Sequence, residues 1–220
     1  TLEKIKKAID ILNKYDIIIR NFFIIGFPGE TKEMIRKSLQ FAADLNSDWT
    51  SIFIASPIHG SDLYRIAHEE GYLDNSKNDK NKLENRHYLR STLKTKDFTS
   101  EELEELQYDA NLQINFINNR NLINKRYDRA EALYGDLIRI YPDHMFANYC
   151  YWQSLVGQNK LKDSKIIEDK LKVLLKNPIN IKYVKKYNLF NKEPFFSFLS
   201  KREIESANVE TLVAPKWQLM

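Results

Sequence analysis

Apolar residues along the first third of the chain change period twice. Leu2, Ile5, Ile9 and Leu12 recur at spacings of three and four, the stripe of an amphipathic helix. Ile17 to Ile25 then runs nearly unbroken in β-branched and aromatic side chains, without a helical period, and a glycine ends it. Such a run predicts a strand buried on both faces, as in a parallel sheet. Thr31 can cap a helix that sets Ile35, Leu39 and Ala42 on one side. Thr50 to Ala55 predicts a second short strand. Ser61 can cap a helix from Asp62 to Glu70, with Gly71 where a helix-terminating glycine belongs. Helix, strand, helix, strand, helix over Thr1–Leu73 is a βαβ unit, whose parallel strands cross over right-handedly. Two strands do not form a stable sheet by themselves. The expectation is therefore part of a larger α/β sheet, completed by upstream residues or by a partner.

The pattern changes after Leu73. Asp74 to Lys82 is polar and without period, so residues 74–98 are read as a linker between an α/β part (1–73) and a helical domain (99–200), with 201–220 as a tail. Thr99 with Glu102 three residues on makes a capping box. The helix it opens is expected to reach about Asn118, with Leu103, Leu106, Ala110, Ile114 and Ile117 as its inward stripe. Tyr127 to Val156 reads as a helical hairpin broken at Tyr141-Pro142-Asp143, and Lys160 to Leu175 as a further amphipathic helix with Ile167, Leu171 and Leu174 inward. Ala130, Tyr134, Leu137 and Pro142 match the second half of a tetratricopeptide (TPR) repeat, while the Trp, Gly and Tyr of its first half are absent. One and a half degenerate repeats fall short of the ~3 a free-standing solenoid needs. Past Asn177 the pattern weakens; Phe195, Phe196 and Phe198 could dock on the helices, and Ala214 to Met220 is expected to be a mobile tail.

Composition narrows the classes without naming one. With 34 basic and 30 acidic residues the net charge is +4, too small and too dispersed to argue for nucleic acid. No apolar run approaches the ~18 residues of a membrane span, and the opening residues do not resemble a signal peptide, so a cytoplasmic protein is expected. The one cysteine, Cys150, sits in an aromatic stretch and reads as a small buried apolar residue. It permits no internal disulfide and no thiolate cluster from this chain, and His68, His87 and His144 show no ligand spacing, so no metal site is expected here. Only six glycines are present, yet Gly26, Gly29 and Gly60 all follow the two predicted strands. In a glycine-poor chain that placement points to backbone constraint at the strand ends, where parallel α/β proteins bind ligands.

The first strand end reads Gly26-Phe27-Pro28-Gly29-Glu30-Thr31. Gly26 lets a flat ligand approach the backbone, Pro28-Gly29 makes a rigid reversal, and Ile24, on the same strand face as Gly26, offers an apolar surface. The second reads Ser56-Pro57-Ile58-His59-Gly60-Ser61-Asp62-Leu63-Tyr64. Together they resemble the fifth- and sixth-strand motifs of radical SAM enzymes. Ile24 and Gly26 stand at the adenine-contacting isoleucine and its glycine; Pro57, Gly60, Leu63 and Tyr64 match the Pro-x-Pro-Gly-Thr-x-Leu-Tyr string, with Ser61 for its threonine and His59 for its second proline.

The resemblance implies a fold of the α/β plus all-α class: the C-terminal portion of a radical SAM partial (β/α) barrel followed by a helical, TPR-like tail. It implies Ile24, Gly26, Ser56 and Pro57 as cofactor-binding residues along the adenine of S-adenosylmethionine (SAM), with no residue of this chain acting in catalysis. Glu30 lies four residues past Gly26 and not three, and reads as a carboxylate favoured by a helix N-terminus. His59 is a candidate proton donor or substrate contact, or a plain surface histidine. The family's Cys-x3-Cys-x2-Cys motif is absent, so the [4Fe–4S] ligands belong to another part of the protein. The helical tail is similar to that of cobalamin-domain-containing members, which makes cobalamin a second candidate cofactor. It also makes the N-terminal barrel and a cobalamin-type domain the expected partners, with a small molecule as substrate. The alternative reading is a helical TPR-like interaction module joined to a barrel remnant.

Overall fold

The computed structural model describes residues 1–74 and 91–189. They divide into two compact units, one within Thr1–Arg120 and one beginning at Asn121. Phe195, Phe196, Phe198, His87 and the 201–220 tail lie outside the described residues.

The first unit opens with α1 (Leu2–Lys14), capped by Thr1, and continues through β1 (Arg20–Ile25), α2 (Lys32–Asp44), β2 (Trp49–Ile54) and α3 (Asp62–Glu69). The two strands pair in parallel, Arg20 with Trp49 through Ile25 with Ile54. The helix starts follow the capping logic: the Thr31 hydroxyl accepts from Met34 N–H and the Ser61 hydroxyl from Tyr64 N–H. Gly71 has φ +67° just past the end of α3, the left-handed conformation that suits glycine at that position.

One face of the sheet is covered. Ile9, Ile19 and Leu45 form a buried cluster with Leu12, Phe23 and Phe41 around it, and Ile25, Ile35, Leu39 and Ala42 are fully buried. The opposite face is bare of helices among the described residues. Phe22 is 70% exposed and Ile24 51%, and the Phe22 ring stacks on Phe53 at 6.2 Å. Of the two faces that the unbroken apolar run expects to be buried, the described residues cover one. The strand is also shorter than the run, since Ile17 and Ile18 precede it and are exposed. In α1 only Ile9 of the stripe is buried; Leu2 and Ile5 face solvent.

The helix predicted after Thr99 is present as α4 (Ser100–Leu112), with both hydrogen bonds of its capping box. It packs against β2 and lies in the first unit. Residues 72–74, at the start of the expected linker, and 92–94, within it, are tied together by a Leu73–Leu93 bridge, by Asp74 N–H to Thr92 O and by Lys94 N–H to Tyr72 O. Leu93 is buried with Ala55 and Ala67. Past Leu112 the helix widens to a π turn, Gln113–Ile117. The extra residue rotates the face, so Asn115 and Phe116 turn inward in place of the expected Ile114 and Ile117.

That rotation serves the outer edge of β2. The Asn115 carboxamide accepts from Thr50 N–H and donates to Thr50 O; Gln107 donates to Ile52 O and Asn119 to Asp48 O. Four backbone groups along that edge, Thr50 N–H and the carbonyls of Asp48, Thr50 and Ile52, are thus taken by side chains. β1 has β2 as its one strand neighbour among the described residues.

The second unit is helical: α6 (Tyr127–Ile140), α7 (Met145–Gly157), α8 (Leu161–Leu174) and α9 (Pro178–Lys186), entered through the short α5 (Arg120–Ile123). α6 packs on α7 and α7 on α8. Ala130, Tyr134 and Cys150 are fully buried, and Gly157 leaves room for the Tyr127 ring, whose atoms lie about 2.4 Å from where a Cβ would stand. Asn177 caps α9, with Pro178 in its first turn, a start signal that the weakening apolar pattern obscures.

Candidate functional site

The carboxyl ends of the two parallel strands lie side by side, because Ala55 N–H continues the ladder onto Ile25 O at 2.8 Å. Beyond that bond both chains turn away. The first turn is held by Gly26 and Gly29, with φ of +87° and +91°, values that side chains with a Cβ adopt at a cost. Glu30 folds back over it: its Oε2 accepts from Gly26 N–H at 2.6 Å and from Phe27 N–H at 2.9 Å. Two successive amides aimed at one carboxylate oxygen form a small nest. The Glu30 side chain is a fastener of the turn, not merely a charge near the start of α2.

Between the turns lies an open hollow of about 470 Å³ lined by Ile24, Phe27, Phe53, Ile54, Ala55, Ser56 and Leu63. Apart from Ser56 these are apolar side chains. The hollow sits at the C-terminal end of a parallel sheet and on its uncovered face, which is the placement expected of a ligand site in such folds. Of the four binding residues expected from the sequence, Ile24 and Ser56 come together in its wall. Gly26 and Pro57 flank it in the chain without lining it.

Gly26 has a second reason to lack a side chain. A Cβ there would stand 2.3 Å from Leu103 Cδ2. That leucine, from α4, is itself fully buried and packs directly against the turn. Next to it, Glu102 Oε1 pairs with Lys32 Nζ at 2.7 Å. Leu103 and Glu102 were legible as helix-face and capping residues, and nothing in their spacing marks a contact with the glycine turn.

His59 is exposed and its ring lies 4.1 Å from that of Tyr64, which in turn stacks on His68 at 6.3 Å. It lies in the turn before α3, against Tyr64, and is not among the residues lining the hollow. In the second unit, burial pushes the Cys150 thiol up, opposed in part by a hydrogen bond with Tyr134. A thiol so placed stays protonated and unreactive. His144 caps α7 through Nδ1, which accepts from Ala147 N–H at 3.1 Å, and desolvation holds its pKa below the ordinary value. Among the described residues no group of three or more His, Cys, Asp or Glu is arranged to hold a metal ion, and no helix is long and apolar enough to cross a membrane.

Comparison with known proteins finds relatives over part of the chain. Over 61 residues it is 43% identical to the ribosomal protein uS12 methylthiotransferase RimO of Dechloromonas aromatica, covering 28% of this chain and 13% of that protein. Over 60 residues it is 40% identical to the tRNA-2-methylthio-N(6)-dimethylallyladenosine synthase of Photorhabdus laumondii, 27% of this chain and 12% of the other. An uncharacterised methyltransferase of Pyrococcus horikoshii is 35% identical over 60 residues, 27% of this chain and 13% of that protein. No family model and no solved structure matches. The chain therefore spans about an eighth of the length of these curated relatives, and what it shares with RimO-like proteins is one homologous segment.

Proposed function

We propose that Thr1–Leu73 forms the last βα units of a radical SAM partial barrel, and that the hollow between its strand ends is one wall of the SAM site. The observation that carries this reading is the pairing of Ile24 and Ser56 in one apolar hollow at the carboxyl ends of two parallel strands. The uncovered sheet face supports it: Phe22, Ile24 and Phe53 make an apolar surface suited to a barrel interior. So does the edge of β2, closed by Gln107, Asn115 and Asn119, which makes β2 a terminal strand and leaves β1 to receive a neighbour.

The residues fit the adenine end of SAM. Ile24 presents a half-exposed apolar side chain to a flat base, Phe27 and Leu63 bound the hollow, and the Ser56 hydroxyl is its polar side-chain group. Backbone at Ser56 and Pro57 would complete the adenine edge. SAM held there, beside a cluster bound elsewhere in the protein, would supply the radical chemistry. This chain's residues hold and orient the nucleoside and keep water from it; their roles are in binding. They do not fit the cluster. Cys150 is the chain's one cysteine and is buried in the second unit, so the ligands would come from the N-terminal barrel of the same protein, and cobalamin would sit in a further domain.

Two of these relatives act on a ribosomal protein and on a tRNA nucleoside, yet both resemble this segment at 40% identity or more. A segment common to such different substrates suits the shared part of the reaction better than substrate choice. The test is anaerobic reconstitution of the whole protein with iron and sulfide, followed by SAM and a reductant. The expected result is cluster absorbance and release of 5′-deoxyadenosine, with Ile24→Asp weakening SAM binding on the order of tenfold or more through a charge buried against the base. A reconstituted protein with neither cluster nor SAM binding removes the reading.

A further inference from the structure

We propose that Leu103, from the helix that follows the βαβ unit, is a positioning residue for the nucleoside wall of the hollow. This rests on the reading of that hollow as a SAM site. Leu103 is fully buried, and its Cδ2 occupies the place of the side chain that Gly26 lacks. Gly26 lies between two residues of the wall, Ile24 and Phe27. Its amide and that of Phe27 are both committed to Glu30, so the turn is tied by a carboxylate and packed against the leucine. The neighbouring Glu102 reaches Lys32 at the start of α2. Two consecutive residues of α4 therefore meet the turn on both sides of its reversal.

A closely packed contact of this kind fixes position because neither partner can yield. The glycine is held in the left-handed region at φ +87°, and the leucine methyl is confined in a core. Removing the methyls opens a void against the backbone of the turn, and the Ile24–Phe27 segment is then free to settle toward α4. The wall that a flat base would stack on moves, although Leu103 itself touches no ligand. Misplacement on the scale of an ångström is enough to cost large factors in binding or rate.

The test measures SAM affinity of the whole reconstituted protein by equilibrium dialysis with labelled SAM and no reductant, so that no turnover contributes. Leu103→Ala is expected to raise the Kd on the order of tenfold, as couplings through packed residues do, while Leu103→Met stays near wild type. Leu103→Val, the milder truncation, is read where the alanine variant is poorly folded, and is expected to raise the Kd severalfold. Leu112→Ala is the control: it is buried in the same helix about 13 Å further along, and should lower the melting temperature while leaving the Kd unchanged. An unchanged Kd in folded Leu103→Ala or Leu103→Val, or an equal rise in Leu112→Ala, overturns the role. A wild-type protein that binds no SAM overturns the reading of the hollow itself, and this role with it.

Discussion

Asn115 satisfies both backbone groups of Thr50, accepting its N–H at 2.8 Å and donating to its C=O at 2.7 Å. A carboxamide is the side chain that can do both, since it carries one acceptor and one donor side by side. Its second amide hydrogen goes to Asn111 Oδ1. The sheet edge is thereby closed by a helix without a third strand.

Asn115→Ala is expected to destabilise the first unit by about 2–5 kcal/mol, because a buried donor and a buried acceptor each lose a partner at ~1–3 kcal/mol. Asn115→Asp should cost a similar amount, since it keeps the acceptor but sets a carboxylate oxygen against the Thr50 carbonyl. Urea unfolding followed by circular dichroism checks both, and a loss under 1 kcal/mol for the alanine variant would show that water replaces the carboxamide.

Gly26→Ala carries two separable penalties. One is the positive φ, about 1–2 kcal/mol for a residue with a Cβ; the other is collision with Leu103 Cδ2. In the Gly26→Ala/Leu103→Ala double variant the second disappears and the first remains. The two changes should therefore be non-additive by about 1–3 kcal/mol in chemical denaturation, with the double variant more stable than the sum of the singles. Additive losses would mean that the turn escapes the leucine by shifting.

Much of the first unit was legible because its signals are local. Thr31, Ser61 and Thr99 each announce a helix start with a single side chain, and all three make the expected bonds. The strands were visible as short apolar runs, the first of them ended by Gly26. What stayed hidden depends on a change of period. A search at 3.6 residues per turn assigns Ile114 and Ile117 to the inner face, and one π turn hands that face to Asn115 and Phe116. A usable signal existed: Gln107, Asn111, Asn115 and Asn119 recur every four residues, a carboxamide stripe along one helix. Such a stripe has little reason to exist on a solvated face and a good one beside a strand edge. Of the residues lining the hollow, Ile24 and Ser56 were readable from their places at the two strand ends. The Gly26–Leu103 contact was not, since 77 positions separate the partners and no alternation or spacing relates them.

Glu30 is expected to matter through geometry more than charge. Its Oε2 serves the Gly26 and Phe27 amides. Glu30→Gln retains a carbonyl oxygen that can accept both bonds and should lose under about 1 kcal/mol. Glu30→Ala leaves both amides to solvent or unpaired and should lose about 1–3 kcal/mol. Hydrogen exchange at the Gly26 and Phe27 amides reads this directly: slow in wild type and Glu30→Gln, fast in Glu30→Ala.

Cys150 should resist thiol reagents until the second unit opens. It is fully buried, its thiol is held in the protonated form by desolvation, and Tyr134 lies against it. At pH 8 a native chain should react with a disulfide reagent orders of magnitude more slowly than a urea-unfolded one, at a rate that follows the opening of the helical unit. Because the folded thiol titrates higher than the unfolded one, the stability it contributes is present at neutral pH. It declines once pH passes the unfolded value, near 8.5, and is lost as pH rises through the raised folded value. Immediate labelling of the native protein would contradict the packing of α6 on α7.

His144 sets an opposite dependence on the acid side. Its Nδ1 accepts from Ala147 N–H, a bond available only to neutral imidazole, and burial lowers its pKa from the ordinary 6.5. In the unfolded chain the ring takes up a proton near its ordinary value; in the folded chain it does so only at lower pH. Between the two the unfolded state holds more protons, so stability rises with pH there. The contribution is complete above about pH 6.5 and declines as pH falls through the lowered folded value, at no more than ~1.4 kcal/mol per pH unit for one group. His144→Asn keeps an N-cap acceptor that does not titrate. The difference in unfolding free energy between wild type and His144→Asn should be flat above pH 7 and turn against wild type between pH 6.5 and 5. A difference that stays flat to pH 5 would mean that the imidazole is protonated or displaced in the folded chain and that α7 begins without its cap.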